Sequence, residues 1–227
     1  LWQPGTGALP ITVHQGWLHD LSPLALTSSE LLEREHPAQD IAQALASGQL
    51  PAIAELDPTL ANSNEDQRDG SRPWLLAPND LQVVKASGVT FIASLLERVI
   101  EEQARGDAAK AVGIRADLGQ ILGQDLSRIV PGSAEAAEVK RVLLARGAWS
   151  QYLEVGLGPD AEIFTKAPVL SAVGTGADVG IHPQSQWNNP EPEIVLAVNS
   201  RGQVVGAALG NDVNLRDFEG RSALLLG

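Results

Sequence analysis

The residue pattern changes from helical to strand-like near position 150, and this change constrains the fold more than any other feature of the sequence. Between positions 94 and 147, apolar residues recur at helical spacing, with interruptions at Gly106-Asp107 and Pro131-Gly132. From Tyr152 to Gly227, short apolar runs are separated by Gly, Pro and Asn, as in strands and turns. Before position 94, short strand and helix patterns alternate. The sequence therefore predicts an α+β protein.

The N-terminal part of the chain predicts several local elements. These are a hairpin of Ile11–His14 and Trp17–Asp20 around a Gln15-Gly16 turn, a helix near Glu30 capped by Ser28 or Ser29, a helix from Asp40 to Ala46 ended by Gly48, a polar linker over residues 57–73, and a buried strand from Leu81 to Val84. We expect a small N-terminal α+β domain of residues 1–75. A larger domain, residues 76–227, follows it and contains an inserted helical region at about 99–150.

Composition and charge exclude several classes of function. Sixteen Lys and Arg against 28 Asp and Glu give a net charge of −12, which argues against nucleic acid or an anionic membrane as the main partner. The absence of cysteine excludes disulfides, thiolate zinc sites and a cysteine nucleophile. The sequence also lacks a bilayer-length apolar run and the pattern of a signal peptide. It therefore predicts a soluble cytoplasmic protein, and a small anionic substrate remains compatible with a bound cation.

Two glutamates, Glu191 and Glu193, stand two residues apart where the chain enters an apolar run. In an extended chain such residues point to the same face, where their mutual repulsion is costly without a cation or a proton. A hairpin turning at residues 199–202 would bring Asp212 beside them. Three carboxylates suit Mg²⁺ or Mn²⁺ better than zinc. By spacing alone, however, solvated charges that protect an edge strand explain the two glutamates at least as well, and Asp212 fits a turn.

The order of these motifs resembles the metal-binding core of the fumarylacetoacetate hydrolase family. The resemblance rests on Glu191-x-Glu193, a hairpin, and then Asn211-Asp212-x-x-x-Arg216-Asp217. Upstream, Phe164-Thr165-Lys166-Ala167-Pro168 with Gly174-Thr175-Gly176 is similar to the family's apolar-Lys-Pro segment. The resemblance covers about residues 76–227. It implies a mixed β-roll catalytic domain, C-terminally incomplete in this sequence, after a small N-terminal domain, and assembly as a homodimer or higher homo-oligomer.

The same resemblance implies roles for individual residues. Glu191, Glu193 and Asp212 would hold Mg²⁺ or Mn²⁺. Arg216 would lie at the edge of the active site, and Lys166 would contact the substrate. Without the resemblance, we would interpret Lys166 as a surface lysine and Arg216 as the partner of its neighbour Asp217 in a surface ion pair.

One departure from the family pattern bears on the reaction. Hydrolase members carry Asn-Tyr-x-x-His-x-x-Glu, whose His and Glu activate water, whereas the corresponding segment here runs from Thr90 to Glu97. Glu97 keeps the acid, but Ser94 replaces the histidine. Because serine does not accept a proton at neutral pH without another base, this segment argues against C–C hydrolysis by the usual route.

The closest likeness, in Gly158–Phe164 and Gly210–Gly227, is to sugar-acid dehydratases of this family. It implies Mg²⁺-dependent conversion of a 2-keto-3-deoxy-pentonate to 2,5-dioxopentanoate, with Glu97 or Lys166 removing a C3 proton. The first alternative is a metal-dependent hydrolase that cleaves a C–C bond of a 2,4-diketo acid. The second is a metal-free interaction protein that keeps only the fold. Because the family pattern continues past Gly227 with an active-site lysine, we expect the whole protein to be longer.

Overall fold

The computed structural model describes residues 1–88, 92–122, 129–145, 147, 149, 151–160 and 162–222. Thr90 and Phe91, which belong to the segment compared with the family's His-Glu pair, lie outside the described residues, as do residues 223–227. Helices and strands are both present in quantity, so the predicted mixture of the two is confirmed. Among the described helices, none has the length and apolar character that crossing a bilayer requires.

The secondary structure elements are short and follow one another closely. The described helices are α1 (Ser28–Leu32), α2 (Pro37–Ala46), α3 (Leu56–Asn62), α4 (Ile92–Ala104), α5 (Ala108–Leu122), α6 (Ala134–Ala145), α7 (Gln151–Leu157) and α8 (Arg216–Glu219), with a 3₁₀ turn at Glu65–Gln67. The described strands are β1 (Trp2–Gln3), β2 (Gly7–Ala8), β3 (Ile11–His14), β4 (Trp17–Asp20), β5 (Ala52–Glu55), β6 (Val84–Ser87), β7 (Ile163–Ala167), β8 (Asn188–Asn189), β9 (Pro192–Val198), β10 (Val204–Asn211) and β11 (Asn214–Leu215).

The chain forms two compact units, each assembled from separate stretches of sequence. Unit 1 comprises Leu1–Val84, Ala167–Gly180 and Pro192–Asp212, and unit 2 comprises the described parts of Lys85–Lys166, Ile181–Glu191 and Val213–Gly227. Each unit therefore depends on segments that are distant in sequence. The predicted domain boundary at residue 75 stays a prediction.

Unit 1 is built around a three-stranded antiparallel sheet with the order β3-β4-β5. The predicted hairpin is confirmed, because His14 lies opposite Trp17 and Ile11 opposite Asp20. Gln15 and Gly16 supply the positive φ angles, 49° and 81°, that a tight two-residue turn requires. Helix α2 ends at Ala46, just before Gly48, as predicted, although it begins earlier, with Pro37 in its first turn. A small apolar core includes Leu21, Ala25, Leu31, Ala44 and Leu50.

The predicted linker over residues 57–73 is wrong. Helix α3 and the 3₁₀ turn occupy much of this stretch, and Asn62 and Ser63 are buried. The Asn62 side-chain amide donates to the Asp69 carbonyl (3.1 Å) and accepts from the Asp69 N–H (2.8 Å). Polar side chains here satisfy backbone groups inside the unit, so a polar composition did not indicate solvent exposure.

The strand predicted at Leu81–Val84 is displaced. It runs from Val84 to Ser87, and Leu81 is 55% exposed. Asp80 explains the shift, because its carboxylate accepts hydrogen bonds from the backbone N–H groups of Leu81 (2.6 Å) and Ser28 (2.6 Å) and so holds a turn. The cap of helix α1 is Thr27, whose hydroxyl accepts from the Glu30 N–H, in place of Ser28 or Ser29.

Unit 2 is a helical cluster with two short ribbons. Helix α4 contacts α5, α7 and α8, and α6 packs on α7. The helices follow the predicted periodicity, with breaks at Gly106-Asp107 and Pro131-Gly132. The strand texture predicted from Tyr152 is wrong at its start, because α7 buries Leu153 and Leu157, four residues apart on one helix face. The buried core of unit 2 includes Val99, Ile100, Ala104, Ala111, Ala136, Leu143, Leu153 and Leu157.

Gly106 does more than end helix α4. Its φ is +74°, and a Cβ atom at this position would lie 2.4 Å from the carbonyl oxygen of Asp217 in helix α8. Gly220, directly after α8, also lacks room for a side chain, because a Cβ atom there would lie 2.8 Å from the Glu101 carbonyl oxygen. The end of helix α4 and helix α8 therefore meet backbone to backbone.

Replacing Gly106 with alanine should lower the free energy of unfolding by about 2 kcal/mol or more, because alanine is strained at this φ and its methyl group meets a backbone carbonyl. Urea denaturation measures this loss. Gly113→Ala is the matched control. Gly113 lies within α5 with open space around it, so this change should instead stabilise the protein by about 0.5–1 kcal/mol. Equal effects at the two positions would contradict the close approach of α4 and α8.

Candidate metal centre

The hairpin of β9 and β10 brings Glu193 and Asp212 to its open end. Its antiparallel ladder places Glu193 opposite Gly210 and Pro192 opposite Asn211, so Asp212 directly follows the last paired residue. The turn lies between Val198 and Val204, which confirms the predicted reversal at residues 199–202. One expectation needs correction: β9 begins at Pro192, so Glu191 precedes the strand. Only Pro192 separates Glu191 from Glu193 along the chain, and this keeps the two carboxylates close together.

The opposite end of the hairpin is anchored to helix α1. Ser200 donates to the Glu33 carboxylate from its backbone N–H (2.8 Å) and from its hydroxyl (2.7 Å), and Arg201 pairs with Glu33 at 3.7 Å. The hydrogen bond from the Ser200 side chain is the main reason that the pKa of Glu33 lies below its ordinary value. This anchor matters because an isolated two-stranded hairpin is marginally stable in water.

Oxygen atoms of Glu191, Glu193 and Asp212 all lie within 4.8 Å of one another. Glu191 and Asp212 are half-buried and Glu193 is exposed. Three carboxylates at this separation repel one another unless a cation or a proton compensates for their charge. The set contains only oxygen donors, which fits a hard divalent cation such as Mg²⁺ or Mn²⁺. Sequence reasoning grouped these three residues and the structure brings them together, whereas metal binding itself stays a prediction.

Arg216 reaches Glu191 through the pairing of β8 with β11. Asn214 lies opposite Asn189, and Arg216 follows β11 as the first residue of helix α8. Its guanidinium donates to the Asn189 side-chain oxygen and, at 3.4 Å, to the Glu191 carboxylate. It also forms an ion pair with Glu101, a residue of helix α4 that is 2% exposed.

Asp217, the alternative partner for Arg216 in the sequence, has a structural role of its own. It is buried, and its carboxylate accepts from the Ser185 hydroxyl and from the Gln186 N–H, both at 2.8 Å. Burial raises the pKa of Asp217, but these hydrogen bonds outweigh burial and hold it below its ordinary value. These hydrogen bonds hold helix α8 in place. Because Asp217 is buried and bonded to Ser185 and Gln186, the interpretation of Arg216 and Asp217 as a surface ion pair is wrong.

Glu97 is held by a cation from the neighbouring helix. Arg115 of α5 donates to both of its carboxylate oxygens, at 2.9 and 2.6 Å. The hydrogen bond from Arg115 is the main reason that the pKa of Glu97 lies below its ordinary value, and the charge of Arg216 adds to the effect. A general base working at neutral pH would need the opposite tuning. Glu97 therefore lacks the raised pKa that a general base requires.

Lys166 is the third residue predicted to act on the substrate. It lies in β7, with its side chain 21% exposed and its ammonium group 4.0 Å from the Glu219 carboxylate. Glu219 and Arg216 lie three residues apart in the same short helix. Helix α8 therefore carries both Arg216 and the carboxylate that lies beside Lys166. Lys166 is thus partly buried beside an acidic neighbour, and its role in the site stays a prediction.

Sequence reasoning missed Glu101 and Asn189. Glu101 alternates with apolar residues in the sequence of helix α4, yet its exposed surface is only 2%. One signal was present: Glu97 and Glu101 stand four residues apart, and two acids at this spacing repel one another unless a cation lies nearby. That cation is Arg216 of helix α8, which lies more than a hundred residues later in the sequence.

Comparison with known proteins points to sugar-acid dehydratases. A probable 2-keto-3-deoxyxylonate dehydratase of Haloferax volcanii is 37% identical over 75 residues, which are 33% of this chain and 26% of that protein. A 2-dehydro-3-deoxy-D-arabinonate dehydratase of Saccharolobus solfataricus is 37% identical over 65 residues, which are 29% of this chain and 22% of that protein. The aligned part thus spans about a quarter of either relative's length. These relatives confirm the predicted resemblance to 2-keto-3-deoxy-pentonate dehydratases.

Two further comparisons add less. No family model matches the chain. A solved structure described as a hexagonal crystal form of 2-keto-3-deoxyarabinonate dehydratase matches with a TM-score of 0.48 and 18% identity, over 95% of this chain and 56% of that one. A TM-score below 0.5 does not establish a common fold.

Glu97→Gln should lower the free energy of unfolding at pH 7 by less than about 1 kcal/mol, because the ion pair with Arg115 is partly exposed and screened. The folded-state pKa of Glu97 is depressed. Its contribution is therefore present above the unfolded pKa and is lost as the pH falls through the folded pKa. Urea denaturation at pH values from 7 to 3 should show the difference from the parent protein disappearing on acidification. A difference that grows toward acid pH would contradict the assignment.

Proposed function

We propose that this chain belongs to the fumarylacetoacetate hydrolase family and takes part in the Mg²⁺-dependent dehydration of a 2-keto-3-deoxy-pentonate to 2,5-dioxopentanoate. The observation that carries the proposal is the convergence of Glu191, Glu193 and Asp212, whose oxygen atoms lie within 4.8 Å of one another. The two dehydratase relatives support the choice of reaction.

The three carboxylates would hold Mg²⁺ or Mn²⁺, which would supply a Lewis acid that polarises the 2-keto group of the substrate and acidifies the protons on C3. Arg216 orients the Glu191 carboxylate by its hydrogen bond at 3.4 Å. Lys166 would contact the substrate. Loss of a C3 proton and of the C4 hydroxyl group removes one molecule of water, and tautomerisation then places the aldehyde at C5.

The proton on C3 needs a base, and the two candidates differ in their surroundings. Both oxygens of Glu97 accept hydrogen bonds from Arg115, and its pKa lies below the ordinary value, so it is a weak proton acceptor at neutral pH. We therefore assign the role of the base to Lys166, whose amine accepts the C3 proton. Glu97 then supports the packing of helix α4 against α5 through Arg115.

Glu193→Gln should lower kcat/KM by about 100-fold or more, because the amide keeps the shape of the side chain but removes one anionic metal ligand. The assay follows semialdehyde formation from D- and L-2-keto-3-deoxy-pentonates with Mg²⁺ and with EDTA. Glu138→Gln is the matched control, since Glu138 pairs with Arg141 on the exposed surface of α6, and it should leave turnover unchanged. Turnover that survives both EDTA and Glu193→Gln would exclude the proposed metal role. A short keto acid as product would instead indicate hydrolysis of a C–C bond.

Lys166→Met and Glu97→Gln separate the two candidate bases. We expect Lys166→Met to reduce kcat by about 100-fold or more while leaving Mn²⁺ affinity unchanged, since lysine is absent from the proposed ligand set. Glu97→Gln should retain most of the turnover. Turnover measurements and a Mn²⁺ titration on the same preparations provide the two readouts. If Glu97→Gln is the inactive variant and Lys166→Met is active, the assignment of the base is reversed.

A further inference from the structure

Glu101 is a carboxylate in the interior of unit 2. It lies on helix α4 with 2% of its surface exposed, beside the apolar residues Val99 and Ile100. Burying a carboxylate in such surroundings is strongly unfavourable unless a positive charge compensates for it. Arg216 supplies that charge through their ion pair. A residue this costly to bury calls for an explanation beyond the packing of the helix.

The same guanidinium also contacts a proposed metal ligand. Arg216 lies 3.4 Å from the Glu191 carboxylate, with its side chain 20% exposed and that of Glu191 23% exposed. An isolated cation this close would compete with a divalent metal ion for the negative charge of Glu191. Glu101 cancels that charge, so the pair of Glu101 and Arg216 presents hydrogen-bond donors to Glu191 with no net charge.

We propose that Glu101 is a positioning residue of the metal centre. By neutralising Arg216, it lets the guanidinium orient Glu191 without withdrawing the carboxylate's charge from a divalent cation. This inference rests on the proposed function, because it assumes that Glu191 is a metal ligand. It adds a residue of helix α4 that does not touch the metal but determines how strongly the ligands bind it.

The backbone fixes the geometry of this pair. A Cβ atom on Gly220 would lie 2.8 Å from the Glu101 carbonyl oxygen and 2.9 Å from the Gly106 nitrogen, so α4 and the end of α8 are in direct backbone contact. The two charges therefore have little freedom to separate. Glu97, one turn earlier on α4, has its own partner in Arg115 and does not take over this role.

The test compares Mn²⁺ binding, followed by electron paramagnetic resonance, in the parent protein, Glu101→Gln and the double variant Glu101→Gln/Arg216→Gln. We expect Glu101→Gln to raise the Kd for Mn²⁺ about tenfold, as the loss of groups behind a metal ligand commonly does. The double variant should bind Mn²⁺ several-fold more tightly than Glu101→Gln, because the uncompensated guanidinium is gone. Neither variant leaves a buried carboxylate unpaired at this pair, so both should fold, and thermal unfolding without metal checks this. Glu138→Gln is again the matched control.

Each outcome decides between the two proposals. If Glu101→Gln binds Mn²⁺ as tightly as the parent protein, or if the double variant binds no better than Glu101→Gln, the positioning role is wrong while the metal centre stands. If the parent protein itself shows no saturable Mn²⁺ binding, the metal centre and the positioning role both fall. A loss of affinity that the second substitution reverses supports the proposal, since a purely structural role for Glu101 would not be repaired by removing Arg216.

Discussion

The ion pair between Glu101 and Arg216 is the interaction on which the arrangement of charged groups in unit 2 depends. It lies where helix α4 meets helix α8, and Gly106 and Gly220 allow the two backbones to approach closely. A buried charge pair contributes little net stability, because desolvation offsets most of the attraction. Its consequence is geometric: it directs the remaining donors of Arg216 to Asn189 and Glu191.

The hairpin of β9 and β10 is held together with little burial of apolar side chains. Its apolar residues are largely exposed, with Ile194 at 68% and Leu209 at 85%, so burial contributes little to holding it together. The backbone ladder and the bonds of Ser200 and Arg201 to Glu33 hold it instead. Glu191, Glu193 and Asp212 lie at the open end of this ladder. Their mutual repulsion there opposes the pairing of β9 with β10, which brings them together. A divalent cation at that end would relieve the repulsion and stabilise the hairpin at the same time.

Much of the local structure could be predicted because its causes are local. The turn at Gln15-Gly16, the end of α2 before Gly48 and the break at Gly106-Asp107 follow from backbone preferences of the residues themselves. The failures had long-range causes. Asn62 is buried because it bonds to Asp69 and its neighbours, and the start of β6 is displaced because Asp80 binds the first turn of helix α1.

The meeting of Glu193 and Asp212 could be predicted, because a hairpin between two apolar runs returns the chain to its starting point, and Glu191 stands only two residues from Glu193. Glu97, Lys166 and Arg216 were named from a motif, but their partners were not. Those partners follow from packing: Arg115 pairs with Glu97, Glu219 lies beside Lys166, and the buried Glu101 pairs with Arg216. The physical reason is that a charge is stabilised by whichever opposite charge packing brings near, and packing in unit 2 joins residues that are distant along the chain.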